Sequence, residues 1–187
     1  MRPRKIAITG CIAVMLPIFA VTLMKPACAG ENPLNSENYF KTEFVFEAKV
    51  LIDRAWITMG QSKYGGRNIV LITGGTFKGP NIEGIVIPGG ADYQLIRPDG
   101  VAEFDARYAL KTNDGVIIYV NNRILNRPDP GGQDLASPGQ YRRSVLSFEA
   151  PLGSKYEWLN KFVYLGTLTI AITDKEAAVI IRVWKLL

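Results

Sequence analysis

The chain has 187 residues, enough for one domain with a short appendage. Apolar residues make up 48% and charged residues 21%, a globular balance that excludes disorder along the whole chain. Histidine is absent, which removes histidine-based nucleophilic triads, histidine general bases and the usual zinc sites together.

Arg2, Arg4 and Lys5 precede an uncharged stretch of 19 residues, Ile6 to Met24, and Ala27-Cys28-Ala29 then leads into a polar segment from Gly30. A basic start, an apolar middle and small residues at the end predict a signal peptide over residues 1–29, cleaved after Ala29. The apolar stretch could also span a membrane, which needs ~17–25 residues. Pro17 and the Ala-x-Ala site favour cleavage. Ile8-Thr9-Gly10-Cys11 resembles a lipidation site, but only Ile6 and Ala7 separate it from the basic residues. The expected compartment is therefore secreted, the bacterial periplasm, with no membrane span left after cleavage.

The leader carries Arg2, Arg4, Lys5 and Lys25, so cleavage leaves 18 of the 22 basic groups against all 17 acidic ones, a net +1. The remaining charges alternate rather than cluster, so no nucleic-acid partner is expected. Both cysteines, Cys11 and Cys28, leave with the leader. No disulfide, thiol nucleophile or thiolate metal site remains, and the mature chain must rest on a hydrophobic core.

Residues 30–42 read as a loose polar lead-in to a β domain over 43–187. Strand character follows at 44–52, 67–73, 83–87, 92–97, 102–111, 116–121, 140–149, 162–172 and 177–186. Gly and Pro mark the joins, as in Gly65-Gly66, Gly74-Gly75, Pro88-Gly89-Gly90, Pro98-Asp99-Gly100 and Asp114-Gly115. Only residues 156–161 read as helix, and residues 128–139 form a long loop. Short strands with turn chemistry between them predict an all-β antiparallel sandwich or barrel.

If Asp99-Gly100 is a two-residue hairpin loop, Asp92 faces Arg107 and Gln94 faces Asp105. Asp92, Gln94, Glu103, Asp105 and Arg107 then share one face, and Tyr93, Leu95, Phe104, Ala106 and Tyr108 the other. A similar loop at Asp114-Gly115 sets Tyr119 opposite Leu110 and Asn121 opposite Tyr108. A three-residue loop at either turn would slip these pairings.

One segment is more particular than generic strand. Gly74-Gly75-Thr76-Phe77-Lys78-Gly79-Pro80 is followed by Pro88-Gly89-Gly90-Ala91-Asp92-Tyr93-Gln94, then Asp105-Ala106-Arg107-Tyr108, and later Tyr156-x-Trp158-Leu159-Asn160. This order of motifs resembles the family known as domain of unknown function 3237, over roughly Phe44 to Lys185. The resemblance implies a single antiparallel β-barrel of lipocalin type with at most one short helix, and no agreed catalytic set. Tyr93 stands where the family commonly has Trp, and most relatives lack a leader.

The glycine-rich run lacks the Lys-Ser/Thr ending of a phosphate loop and no helix follows it, so its glycines read as bends and corners. The best polar constellation is Asp92, Glu103, Asp105 and Arg107, in which a partly buried carboxylate could act as a base. Ligand contacts are expected from Asp92, Tyr93, Gln94, Phe104, Arg107, Tyr108, Tyr119 and Trp158. No loop has calcium-binding spacing, so neither metal nor cofactor is expected. Two readings stand level: a barrel that binds a small, partly apolar molecule, and a cofactor-independent isomerase, cyclase or lyase. In the second, Asp92 or Asp105 is the base, Arg107 the electrostatic stabiliser and Tyr119 a hydrogen-bond donor. An assembly role ranks third, and a homodimer is compatible with each.

Overall fold

The structure is a computed structural model that describes residues 40–132 and 138–187. The signal peptide expected over 1–29 lies outside the described residues. Nine strands follow in chain order: β1 (Thr42–Ile52), β2 (Ile57–Ser62), β3 (Gly65–Lys78), β4 (Glu83–Ile96), β5 (Ala102–Thr112), β6 (Ile117–Pro128), β7 (Gln140–Glu149), β8 (Tyr164–Ile172) and β9 (Ala177–Leu186). A 3₁₀ helix at Glu157–Lys161 precedes β8. All pairings are antiparallel in the order β1-β9-β8-β7-β6-β5-β4-β3-β2, and an additional β1–β3 pairing closes eight of the strands into a barrel.

Closure depends on β3, which is shared between two neighbours on one side. Its first part pairs with the exposed strand β2, and its later part, Ile72 to Lys78, pairs with β1. Gly74 and Gly75, with φ of 140° and 137°, lie just after the change of partner, opposite Leu51 and Val50 of β1 and within the irregular stretch of the β3–β4 pairing. The expected join at these glycines is thus a bend inside one long strand. Pro88-Gly89-Gly90 is likewise a bulge within β4, and the two segments expected at 83–87 and 92–97 are one strand.

Both hairpins that flank β5 have three-residue loops. The Gly100 N–H donates to the Arg97 carbonyl (3.1 Å) and the Arg97 N–H to the Val101 carbonyl (2.9 Å), with Gly100 at φ 83°. Thr112, Val116 and Gly115 (φ 90°) repeat the arrangement one hairpin later. Pro98 presets the φ that a type I turn needs at its first central position, and Gly100 supplies the left-handed residue that follows. The extra residue slips both expected pairings by one: Asp92 pairs with Ala106, Tyr119 with Ala109 and Asn121 with Arg107.

The barrel end near the Asn113-Asp114-Gly115 turn, here the lower end, is filled. Phe46, Phe77, Phe148 and Tyr164 meet edge to face with centroids 4.8–5.9 Å apart. Leu159 of the 3₁₀ helix and Tyr156 just before it are buried against this core. Asn160 holds both backbone groups of Ala150 (2.7 and 2.8 Å), and the Tyr156 hydroxyl donates to Asp114 (2.8 Å). The Tyr156-x-Trp158-Leu159-Asn160 motif is therefore a plug.

Candidate functional site

The one-residue slip divides the expected constellation between the two sides of the wall, because side chains alternate along a strand. Asp92 and Gln94 point inward with Phe104, Ala106 and Tyr108. Glu103, Asp105 and Arg107 point outward with Tyr93, which is 47% exposed, and Tyr119. Asp92 and Arg107 thus do not meet, contrary to the expected pairing. Trp158 belongs to the lower plug, where Lys185 lies over its ring, and is not gathered with Asp92.

Inside, Asp92 Oδ2 accepts a hydrogen bond from Gln94 Nε2 (2.9 Å), while Oδ1 has no partner among the described residues. The Tyr108 hydroxyl, both amide atoms of Asn122, Ser144 Oγ and the Tyr164 hydroxyl are also buried without a partner. These five residues come one each from β4, β5, β6, β7 and β8. Asp92, Ala106, Asn122, Leu146 and Tyr164 form one continuous cross-strand row, and Ala106 leaves only a methyl group between the carboxyl and the amide. Ser144 lies opposite Gly166, where an added Cβ would come 2.4 Å from the hydroxyl oxygen.

Each buried polar group left unpaired costs about 1–3 kcal/mol. Asp92, Asn122 and Tyr164 lie in that cross-strand row, and Tyr108 and Ser144 stand two residues from it, so the groups form a belt across five consecutive strands. Burial pushes the Asp92 carboxyl up to about 6, the Gln94 hydrogen bond and then the Asp105 backbone N–H oppose that rise, and the Asp105 charge adds to it. Burial likewise pushes the Tyr108 phenol up, so it stays protonated as a donor. The belt combines neutral donors and acceptors with one carboxyl able to hold or release a proton near neutral pH. Asn122→Leu keeps the volume and removes the unpaired amide, so it should raise stability by about 1–3 kcal/mol in urea unfolding. A loss of stability would mean that the amide is satisfied.

Outside, Arg107 donates to Asp105 through Nε (3.3 Å) and Nη2 (2.9 Å), and Asn121 Nδ2 donates to the same carboxylate (2.7 Å). Arg107 therefore holds the Asp105 carboxyl below its usual range. An ionised, fully engaged carboxylate is a poor base, so of the two expected candidates Asp92 is the better placed. Among the described residues no group of three or more acidic side chains could hold a metal ion. No described helix is long and apolar enough to cross a membrane.

Residues 40–186 match the family model described as protein of unknown function, DUF3237. The chain belongs to this family. A UPF0311 protein of Rhodopseudomonas palustris is 42% identical over 134 residues, 68% of this chain and 86% of that protein. The hydroalkoxylation enzyme phnH of Penicillium herquei is 30% identical over 154 residues, 82% of this chain and 85% of that protein. A β-barrel-like protein of Acinetobacter baumannii superposes with a TM-score of 0.69 at 29% identity, covering 79% of this chain and 96% of its own. The barrel implied by the Gly74–Pro80 and Pro88–Gln94 motifs is thus the fold of this DUF3237 chain.

Of the expected ligand contacts, Asp92, Gln94, Phe104 and Tyr108 come together inside the barrel, whereas Tyr93, Arg107 and Tyr119 are on its outer wall. Asn122, Ser144 and Tyr164 were not among the expected residues. Their signal in the chain is a polar residue within an inward apolar series, as in Ile118, Val120, Asn122 and Ile124.

Proposed function

We propose that this protein binds a small, uncharged, partly apolar molecule inside its barrel. The observation that carries the reading is the belt of unpaired polar groups on β4–β8, set among apolar walls. Eight strands enclose room for one small ligand at most, and such sites orient it with a few polar groups. Because the belt atoms are shut off from solvent, admission displaces side chains at the upper end, where Gln94 and Phe104 stand between Asp92 and the Pro98-Asp99-Gly100 turn. An uncharged hydroxylated aromatic such as 2-naphthol is a suitable probe. Titrated into the ¹⁵N-labelled protein, it should move the amide signals of Asp92, Tyr108, Asn122, Ser144 and Tyr164 most. Shifts confined to the outer wall, or none, would contradict the reading.

A second reading is favoured by Asp92 itself: the barrel transfers a proton within the bound molecule. A carboxyl at about 6 is present in both forms near neutral pH. The relative from Penicillium herquei is named a hydroalkoxylation enzyme, and such an addition exchanges an O–H bond and a C=C π bond for a C–O and a C–H bond. The product is an isomer of an intramolecular substrate, so proton movement alone balances the step. Asp92 would take the hydroxyl proton and return one to carbon. With an alkenyl phenol as substrate, Asp92→Asn should lower the rate by about 10²–10⁴-fold. Equal rates would remove Asp92 from the chemistry.

Secretion is also part of this proposal and rests on the leader pattern at 1–29. Amino-terminal sequencing of protein recovered from the periplasm should begin at Gly30.

A further inference from the structure

The outer wall has a feature that the barrel interior does not use. Outward side chains of β3 to β6 border an open groove of about 390 Å³, lined among others by Arg67, Tyr93, Glu103, Asp105, Arg107 and Arg123. Both acids in it already have a cation: Asp105 is held by Arg107, and Glu103 by Arg97 Nη1 at 2.9 Å. The Arg67 and Arg123 side chains have no ion pair or hydrogen bond among the described residues, although Arg123 adds to the field that lowers the Asp105 pKa. Two guanidinium groups with unspent donors therefore share one concavity, and guanidinium donors match carboxylate oxygens.

A second concavity, of about 350 Å³, adjoins the first and shares Arg67 and Tyr93 with it. Its further lining includes Met59, Tyr64 and Ile69, and Met59 and Tyr64 are more than half exposed. Part of it is built from β2, whose six residues are all exposed and which among the described strands pairs only with β3. Lys63 also lines it, with its ammonium 4.8 Å from the Tyr64 ring centroid, so the surface is cationic on one side of Tyr93 and mainly apolar, with one further cation, on the other. Flat exposed aromatic and thioether side chains accept a ring or short chain at little entropic cost.

We infer that this face is a second, separate binding site, for a small amphiphilic carboxylate whose acid group meets Arg67 and Arg123 and whose apolar body lies on Met59, Tyr64 and Tyr93. The inference does not rest on the interior reading, because the two sites are on opposite sides of the wall and ask for different ligands, uncharged inside and anionic outside.

Calorimetry with 2-naphthoate tests it on the full chain. Both 2-naphthoate and the uncharged 2-naphthylmethanol are compared on the full chain carrying Asp92→Asn/Asn122→Leu, where the interior belt no longer competes for the alcohol. The carboxylate should bind at least about tenfold more tightly than the alcohol, and raising the salt from 0.05 to 0.5 M should erase most of that difference. Arg67→Gln and Arg123→Gln should each weaken 2-naphthoate by about fivefold or more, with melting curves nearly unchanged, since neither side chain has an ion pair or hydrogen bond to lose and the Arg123 charge acts on Asp105 only at a distance. Asn122→Leu should leave 2-naphthoate binding as it is. Equal affinities for the two probes, or retention of 2-naphthoate affinity in the Arg67→Gln/Arg123→Gln double variant, would overturn the inference. So would loss of 2-naphthoate in Asn122→Leu, which would put the acid inside the barrel. A failed 2-naphthol titration sinks only the interior site.

Discussion

Gly75→Ala should cost about 4 kcal/mol or more, a large share of the stability expected of one domain. Two effects add. Gly75 has φ 137°, a backbone region that alanine enters at about 1–3 kcal/mol. A Cβ there would come 2.0 Å from the Lys49 carbonyl oxygen on β1, an obstacle of backbone that cannot rotate away. Relief would require β1 and β3 to part at the seam that closes the barrel, exposing two strand edges at once. Gly100→Ala separates the two effects, since it has a positive φ of 83° but open space around the missing Cβ, and should cost about 1–2 kcal/mol. Gly131→Ala, with open space and no such backbone demand, should be near neutral. Urea unfolding of the three variants checks the order. A Gly75→Ala protein within about 1 kcal/mol of the parent would contradict closure through β1 and β3.

Asp92→Asn should stabilise the protein at pH 7.5 by about 2–3 kcal/mol and flatten its stability profile between pH 4 and 6. The sign follows from which state holds the proton. In the unfolded chain Asp92 ionises near 3.8, while in the folded barrel it ionises near about 6, chiefly because burial disfavours its charge. Between those values the folded state binds the proton and the unfolded state does not, so stability falls as pH rises and levels off above about 6. Hydrogen bonds from Gln94 and from the Asp105 backbone oppose the effect, and the Asp105 charge adds to it. Asparagine carries no charge at any of these pH values and its oxygen can still accept from Gln94. At pH 4 the variant and the parent should be about equally stable. Asp99, Asp105, Asp114 and Glu157, all held below their usual range, make stability rise with pH, so the difference between parent and variant is the readout. A difference that moves in the parent's favour between pH 4 and 6 would mean that Asp92 is paired with a cation in the folded state. A residue that weakens the fold at neutral pH is expected at a working site and is hard to explain by packing.

The strands of this barrel were legible because its turns carry Gly, Pro, Asn and Asp at positions where those residues have mechanical reasons to be. Closure was legible only through the resemblance carried by the Gly74–Pro80 and Pro88–Gln94 motifs. Nothing in local alternation says that β3 leaves β2 for β1. The short strand Ile57–Ser62 was missed because Gly60 and the polar Gln61 and Ser62 give it no buried face. The candidate site was half legible. Its residue types and segment were found, but Asp-Gly is compatible with two-residue and three-residue loops, and one residue of slip exchanges the inner and outer faces. Pro98 before Asp99-Gly100 is the local feature that favours the longer loop, since it suits the first central position of a type I turn. Once that register is known, Asn122 and Ser144 identify themselves as polar residues at inward positions.

The most direct test of the interior site is native mass spectrometry of the protein purified gently from its own host, beside an Asp92→Asn/Asn122→Leu variant prepared in the same way. The belt on β4–β8 predicts a reproducible extra mass on the parent, released on denaturation and missing from the variant. A bare polypeptide mass for the parent, or the same extra mass on both proteins, would contradict a ligand held by Asp92 and Asn122.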